Sequence, residues 1–191
     1  MDSKMNIDIE QSFVATLNMF DHKVNLLEQL HGKPALATVN LFSGGFFTGK
    51  PQTRDHSSLL GIRPNAQSGP VQPLKLHFLH TTAGYVLSIR NEGEHYNKKV
   101  SERWLEVLGT IDSEDDEPTV FTLVDQHNKS VTLKDFRTVH TPISLMTEDK
   151  KYVGGLTVKG SPYIYLANTH ERSKITFIVS ILERKVSHSV T

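Results

Sequence analysis

Gly44 and the pair Gly49-Lys50 are separated by four residues, the spacing with which a phosphate-binding P-loop wraps a nucleotide. Such a loop needs a strand before it, a helix after it, and a hydroxyl following the lysine to hold magnesium. Pro51 stands in the hydroxyl's place, and Phe46 and Phe47 put bulk where backbone must approach phosphate. The following PQTRDHSSLLG carries no helical apolar period. The stretch therefore reads as a Gly-Gly hairpin turn and not as a nucleotide site.

Ten histidines raise the question of a metal. His77 and His80 are three apart on a candidate strand, which throws them to opposite faces. His22 and His31 fall in a helical stretch without the spacing of a zinc protease motif. Asp112, Glu114, Asp115, Asp116 and Glu117 form an acidic run that lacks the central Gly and distal Glu of an EF-hand loop, and Pro118 breaks it. No metal site is expected. The chain has no cysteine, which removes thiolate ligands, disulfides and cysteine nucleophiles. Ser43-Gly44 and Ser68-Gly69 are turn chemistry without the Gly-x-Ser-x-Gly elbow of acyl transfer. These patterns make no positive case for an enzyme or a cofactor.

What they leave is recognition. His95, Tyr96 and Asn97 sit together, as do Asp125, Gln126, His127 and Asn128, and then Tyr163, Tyr165 and Asn168. A sugar site uses this mixture: an aromatic face for the C–H side of the ring, and amides or carboxylates for its hydroxyls. Tyr163 and Tyr165 share one face of a strand, so at least one belongs to the core. Trp104, the single tryptophan, reads as a core residue.

The 191 residues suit one domain with a proper core, alone or with an appendage. Basic and acidic residues balance at 21 each, so no net field draws phosphate backbones or anionic lipid, and nucleic acid is not an expected partner. No apolar run approaches the roughly 18 residues of a membrane-spanning helix. The start MDSKMNIDIE is acidic and lacks the apolar centre of a secretory leader. Cytoplasmic synthesis is expected, with release by a route without a cleaved signal left open.

Two segments must position these residues. In residues 1–33, Phe13, Leu17, Phe20, Val24, Leu27 and His31 alternate spacings of four and three, which predicts an amphipathic helix. It would run from Asp8, with Gln11 completing an approximate capping box, to Leu30, with Gly32 and Pro34 as a stop. At the standard rise that helix is roughly 35 Å long. Its stripe packs on the chain's own β domain or pairs with a second copy, giving a homo-oligomer.

Residues 34–185 change to a period of two, and residues 186–191 read as a flexible tail. LKLHFLH, GYVLSIR, WLEVLGTI, TVFTLVD, KYVGGL, YIYLAN and ITFIVSIL are among a dozen short candidate strands separated by turn signals such as TTAG, DQHNK and TEDKK. A mainly β fold follows, either a closed barrel or a two-sheet sandwich. LFSGGFF, LHTTAGYV and LMTEDKKYV overlay as three hairpin-like units, with further strands following the second and third. RNEGEHYNKKVSER and DSEDDEP stretch the middle unit.

That order resembles the β-trefoil, and VFTLVDQHNKSVTL is similar to the phrase linking repeats in fascin-like and agglutinin-like members. Asp125 to Asn128 also resembles the Asp-x-x-Asn stretches of ricin-type sugar-binding trefoils, although their Gln-x-Trp signature is absent. The resemblance implies a non-catalytic, lectin-like protein that binds glycans or a cell-surface glycoprotein, as the targeting component of a toxin or defence system. The alternative is a protein-binding trefoil, such as a protease inhibitor or an actin-binding module.

Overall fold

Phe13, Ala15 and Leu17 alternate along an extended segment and turn their side chains into the interior of a closed barrel. The computed structural model describes residues 6–39, 42–43, 46–47, 50–112 and 117–186. The chain runs through a four-strand unit three times. The first unit is β1 (Phe13–Asn18), β2 (His22–Leu26), β7 (Leu60–Pro64) and β8 (Lys75–Thr81). Between β2 and β7 lies an insertion made of α1 (Leu27–His31), β3 (Leu36–Val39), β4 (Phe42–Ser43), β5 (Phe46–Phe47) and β6 (Gln52–Asp55). The second unit is β9 (Gly84–Ile89), β10 (Lys99–Glu102), β11 (Leu108–Ile111) and β12 (Val120–Val124). A short strand β13 (Ser130–Val131) leads to the third: β14 (His140–Thr147), β15 (Tyr152–Thr157), β16 (Ile164–Thr169) and β17 (Phe177–Arg184).

The first and fourth strands of each unit are the six staves of the barrel. They pair antiparallel around a full circle, β1 to β8, β9, β12, β14, β17 and back to β1. Because the ring closes, the architecture is not a two-sheet sandwich. The second and third strands pair as hairpins, β2 with β7, β10 with β11, and β15 with β16. Backbone bridges join the hairpins in a triangle: Ile62 to Ile164, Leu59 to Gly109, and Val107 to Ala167.

The staves fill the barrel by alternation. Leu76 and Phe78, Leu87 and Ile89, Phe121 and Leu123, Ile143 and Leu145, and Phe177 and Val179 all reach the same cluster as Phe13. A second cluster lies under the insertion, where Leu27, Leu30, Ala35, Ala37 and Val39 pack on Leu59, Val107, Tyr163, Tyr165 and Ala167. α1 sits tightly on β7: a Cβ at Gly61 would stand 2.5 Å from Leu27 Cδ2 and 2.6 Å from the Ile164 carbonyl. Only glycine fits between the helix and β16.

The helix expected from Asp8 to Leu30 does not form. Phe13 and Leu17, four apart, fit a period of two as well as a helical one, and with Ala15 in β1 they gain two strand neighbours and burial. Phe20, which completed the helical stripe, stands 97% exposed in the turn between β1 and β2. Only Leu27–His31 is helical, and it stops at Gly32 as the sequence indicates, with the Gly32 N–H on the Glu28 carbonyl. Asp8 caps a single turn, Ile9–Gln11, accepting from the Glu10 N–H. Gln11 Oε1 instead accepts from the Lys134 N–H. Residues 6–33 therefore form the first two strands of the barrel unit and the start of its insertion. Phe13, Leu17, Val24 and Leu27 are buried in this chain's own core, and the predicted stripe is not presented as a helical face among the described residues.

The Gly-Gly turn reading falls between β4 and β5, which pair antiparallel, and strand β6 follows where a P-loop has its helix. Gly44, Gly45 and Gly49, and Glu114 to Asp116 of the acidic run, lie outside the described residues. No helix among the described residues is long and apolar enough to cross a membrane.

Candidate functional site

Asn25, at the end of β2, directs the chain into α1. Its Oδ1 accepts from the Leu26 N–H at 2.8 Å, and its Nδ2 donates to the Gln72 carbonyl at 2.8 Å. The first amides of α1 are satisfied from the segment leading into β7, Leu27 N–H by the Leu59 carbonyl and Glu28 N–H by the Ser57 carbonyl. Leu27 and Leu30 fix the helix face on the second cluster. Glu28, one position on, is turned toward the connection between β9 and β10.

That connection is held by its own backbone. The Tyr96 N–H reaches the Gly93 carbonyl, Lys98 reaches His95, and Asn97, at φ 63°, reaches Ile89. His95 is thereby set inward, with Nδ1 3.0 Å from Thr110 Oγ1 on β11. Its Nε2 lies 3.4 Å from Glu28 Oε1. The two side chains are only 8% and 9% exposed. Lys33 Nζ stands 3.7 Å from Glu28 Oε2 and 2.5 Å from Glu94 Oε2. The Lys33–Glu94 hydrogen bond lowers the Glu94 pKa and raises that of Lys33.

Glu28 and His95 border a cleft of about 270 Å³ between α1, the Pro70–Gln72 segment and the connection from Asn91 to His95. Its amides are largely engaged in holding the walls. Asn91 Oδ1 accepts from the Lys75 N–H at 2.7 Å, and its Nδ2 donates to the Pro73 carbonyl at 2.9 Å. Asn25 is likewise used at both ends. Glu28 Oε2 and His95 Nε2 are buried and have no hydrogen-bond partner. Glu92 and Glu94 add two more carboxylates to the lining.

Of the residues expected at a site, only His95 lines this cleft. Tyr96 and Asn97 share its connection but are engaged by Arg90, which donates to Asn97 Oδ1 at 2.6 Å and to the Tyr96 hydroxyl at 3.2 Å. Tyr163 and Tyr165 are both buried in the second cluster. The Tyr163 hydroxyl donates to the Leu36 carbonyl at 3.0 Å, and the Tyr165 hydroxyl meets His56 Nδ1 at 2.7 Å and Ser161 Oγ at 2.5 Å. Trp104 is half-buried beside them, 5.2 Å from the His56 ring. Asn168 donates to Glu102 Oε1 at 2.5 Å.

Asp125 to Asn128 form the turn between β12 and β13. Asp125 Oδ1 accepts from the His127 and Lys129 amides at 2.8 and 2.9 Å, and those amides hold its carboxyl below the usual range. Asn128, at φ 59°, donates to Glu171 Oε1 at 2.6 Å and accepts from Lys174 Nζ. Gln126 and His127 are exposed. Among the described residues no group of three or more His, Cys, Asp or Glu is placed to hold a metal.

Glu28 was not legible as a site residue. Its one signal is a carboxylate inside the apolar run LLEQL, beside two leucines that become core. In comparisons with known proteins, no family model, no curated protein and no solved structure matches the chain.

Proposed function

We propose that the chain is a non-catalytic recognition protein on a β-trefoil frame, and that it takes a carbohydrate group of a cell-surface partner into the cleft beside α1. The frame reading is supported by three consecutive units in the order stave, hairpin, hairpin, stave, with the hairpins bridged to one another. Fold alone carries no function, so the weight falls on the site. The observation that carries the reading is the polar lining of the cleft, in which Glu28, Glu92, Glu94 and His95 stand together. Carboxylate and imidazole groups gathered in one concave site can pair with the hydroxyls of a ligand ring and orient it.

The reading is tested by applying the labelled, folded protein to a glycan array, with the variant Glu28→Gln alongside. Saturable binding to a chemically related group of glycans, weakened in the variant, supports it. An array left blank by folded protein removes it.

A further inference from the structure

We infer that a second cleft, between the β12–β13 turn and β14, binds the phosphate or sulfate group of an ester whose apolar body lies on the cleft floor. It shares no lining residue with the cleft beside α1, so the inference does not rest on the carbohydrate reading. Lys129, Lys134 and Arg137 all line it, and all three are exposed. Among the described residues no salt bridge joins any of them to a carboxylate. The two carboxylates of the lining are held by the chain's own donors. Asp125 Oδ1 accepts from the His127 and Lys129 amides. Asp135 Oδ2 accepts from the Thr132 N–H at 2.8 Å and the Thr132 hydroxyl at 3.3 Å.

The backbone that carries the cations is fixed. Lys129 is anchored by its amide on Asp125, and Lys134 by its amide on Gln11 Oε1 at 3.2 Å. Arg137 follows Phe136, which is buried and packs edge-on against Phe13. Three like charges gathered on one lining repel one another, and a bound anion removes that repulsion. Arginine presents a planar fork of donors and each lysine a point charge, so the three can address separate oxygens of a tetrahedral oxyanion. A carboxylate has two oxygens and leaves one cation unmatched. Phe136, Pro142 and Ile143 supply the apolar part of the lining. At about 560 Å³ the cleft falls within the roughly 300–1,000 Å³ of small-ligand pockets, which is more room than an oxyanion alone fills. The remaining space suits the body of an ester.

The experiment titrates the full chain with phenyl phosphate, phenyl sulfate, inorganic phosphate and benzoate at one fixed ionic strength. It reads affinity by calorimetry and the NMR signals of His127, which is exposed on the same lining. At least one of the two esters is expected to bind about tenfold more tightly than benzoate or inorganic phosphate and to move the His127 signals. The order of the two esters then tells phosphate from sulfate. Arg137→Gln is expected to lose about tenfold and Lys134→Gln severalfold, both with the melting temperature kept, because neither side chain has a partner to lose. Lys159→Gln, an exposed cation outside the cleft, should change nothing. Benzoate binding as tightly as the esters overturns the oxyanion, and inorganic phosphate doing so overturns the apolar floor. Binding by none of the four, or an equal loss in Lys159→Gln, overturns the site.

Discussion

The Phe13 and Phe78 rings stack across the β1–β8 ladder with centroids 4.6 Å apart and planes within 5° of parallel. Tyr85 and Phe136 close on Phe13 edge-on, each 5.8 Å away. Phe13 thus anchors the first stave to three other segments. Phe13→Ala should destabilise the protein by about 3–5 kcal/mol, through lost burial and the cavity left behind. Denaturant titration measures this, and a loss under about 1 kcal/mol would mean that the stave is not held as described.

Gly61 is the point where α1, β7 and β16 converge. Gly61→Ala places a methyl against Leu27 Cδ2 and the Ile164 carbonyl and should cost about 1–3 kcal/mol. Adding Leu27→Ala relieves the side-chain contact only, since the carbonyl cannot retreat without moving β16. The double variant should therefore remain less stable than Leu27→Ala alone, as thermal melts would show.

Leu105 and Glu106 form the tip of the β10–β11 hairpin with φ of 51° and 59°, both left-handed. That is the backbone of a type I′ turn, which favours Asn-Gly over these residues. Leu105 is 55% exposed, so little packing is lost on replacing it. Leu105→Asn with Glu106→Gly should stabilise the protein by roughly 1 kcal/mol despite losing the surface pair between Glu106 and Lys151. A lower melting temperature in the double variant would refute this.

Burial lowers the pKa of His31, His56 and His80, with Arg63 adding to the effect at His31 and Arg54 at His56, and Asp8 opposing it at His80. In each case the unfolded chain takes up its proton first as pH falls. Stability should therefore be full above the ordinary imidazole value of about 6.5 and decline from there down to the folded values. His56→Gln should reduce the slope of stability against pH in that window. An unchanged slope would show that His56 does not titrate between the two states.

At the alkaline end Tyr85 behaves in the opposite sense. Burial pushes its hydroxyl up to about 12, and the hydroxyl is bonded to the Gln11 carbonyl and the Leu133 N–H. Its neutral form is favoured in the fold, so stability is full below pH of about 10 and is lost as pH rises from there to about 12. Tyr85→Phe should be flatter across that range in equilibrium unfolding.

Strands whose apolar residues alternate strictly along the sequence were legible because that alternation has a single solution. LKLHFLH became β8, and ITFIVSIL falls largely on β17. The first two strands were not legible, because the spacing of four from Phe13 to Leu17 serves a helix as well as a strand, and Phe20, three further on, completed the helical stripe. The turn at Met19 to Asp21 carries no glycine or proline to break the pattern. β10 was missed inside RNEGEHYNKKVSER because its buried positions, Val100 and Ser101, are adjacent and one is polar. SVTLKDF looked extended, yet beyond Val131 it is a capped turn in which Asp135 accepts from the Thr132 N–H. The overlay of hairpins was also out of phase, since TTAG joins β8 to β9 across two units while TEDKK joins β14 to β15 within one. For the cleft, His95 was named from its neighbours, but only the fold brings it to Glu28.

The pairing of β1 with β17 has a consequence for how the chain is made. Phe13 lies opposite Arg184, and the Ser12 carbonyl accepts the Lys185 N–H at 2.8 Å. A ribosome releases β1 first of the six staves and β17 last of them. The ring cannot shut until β17 is made, and before then Phe13, Ala15 and Leu17 have only β8 as a strand neighbour.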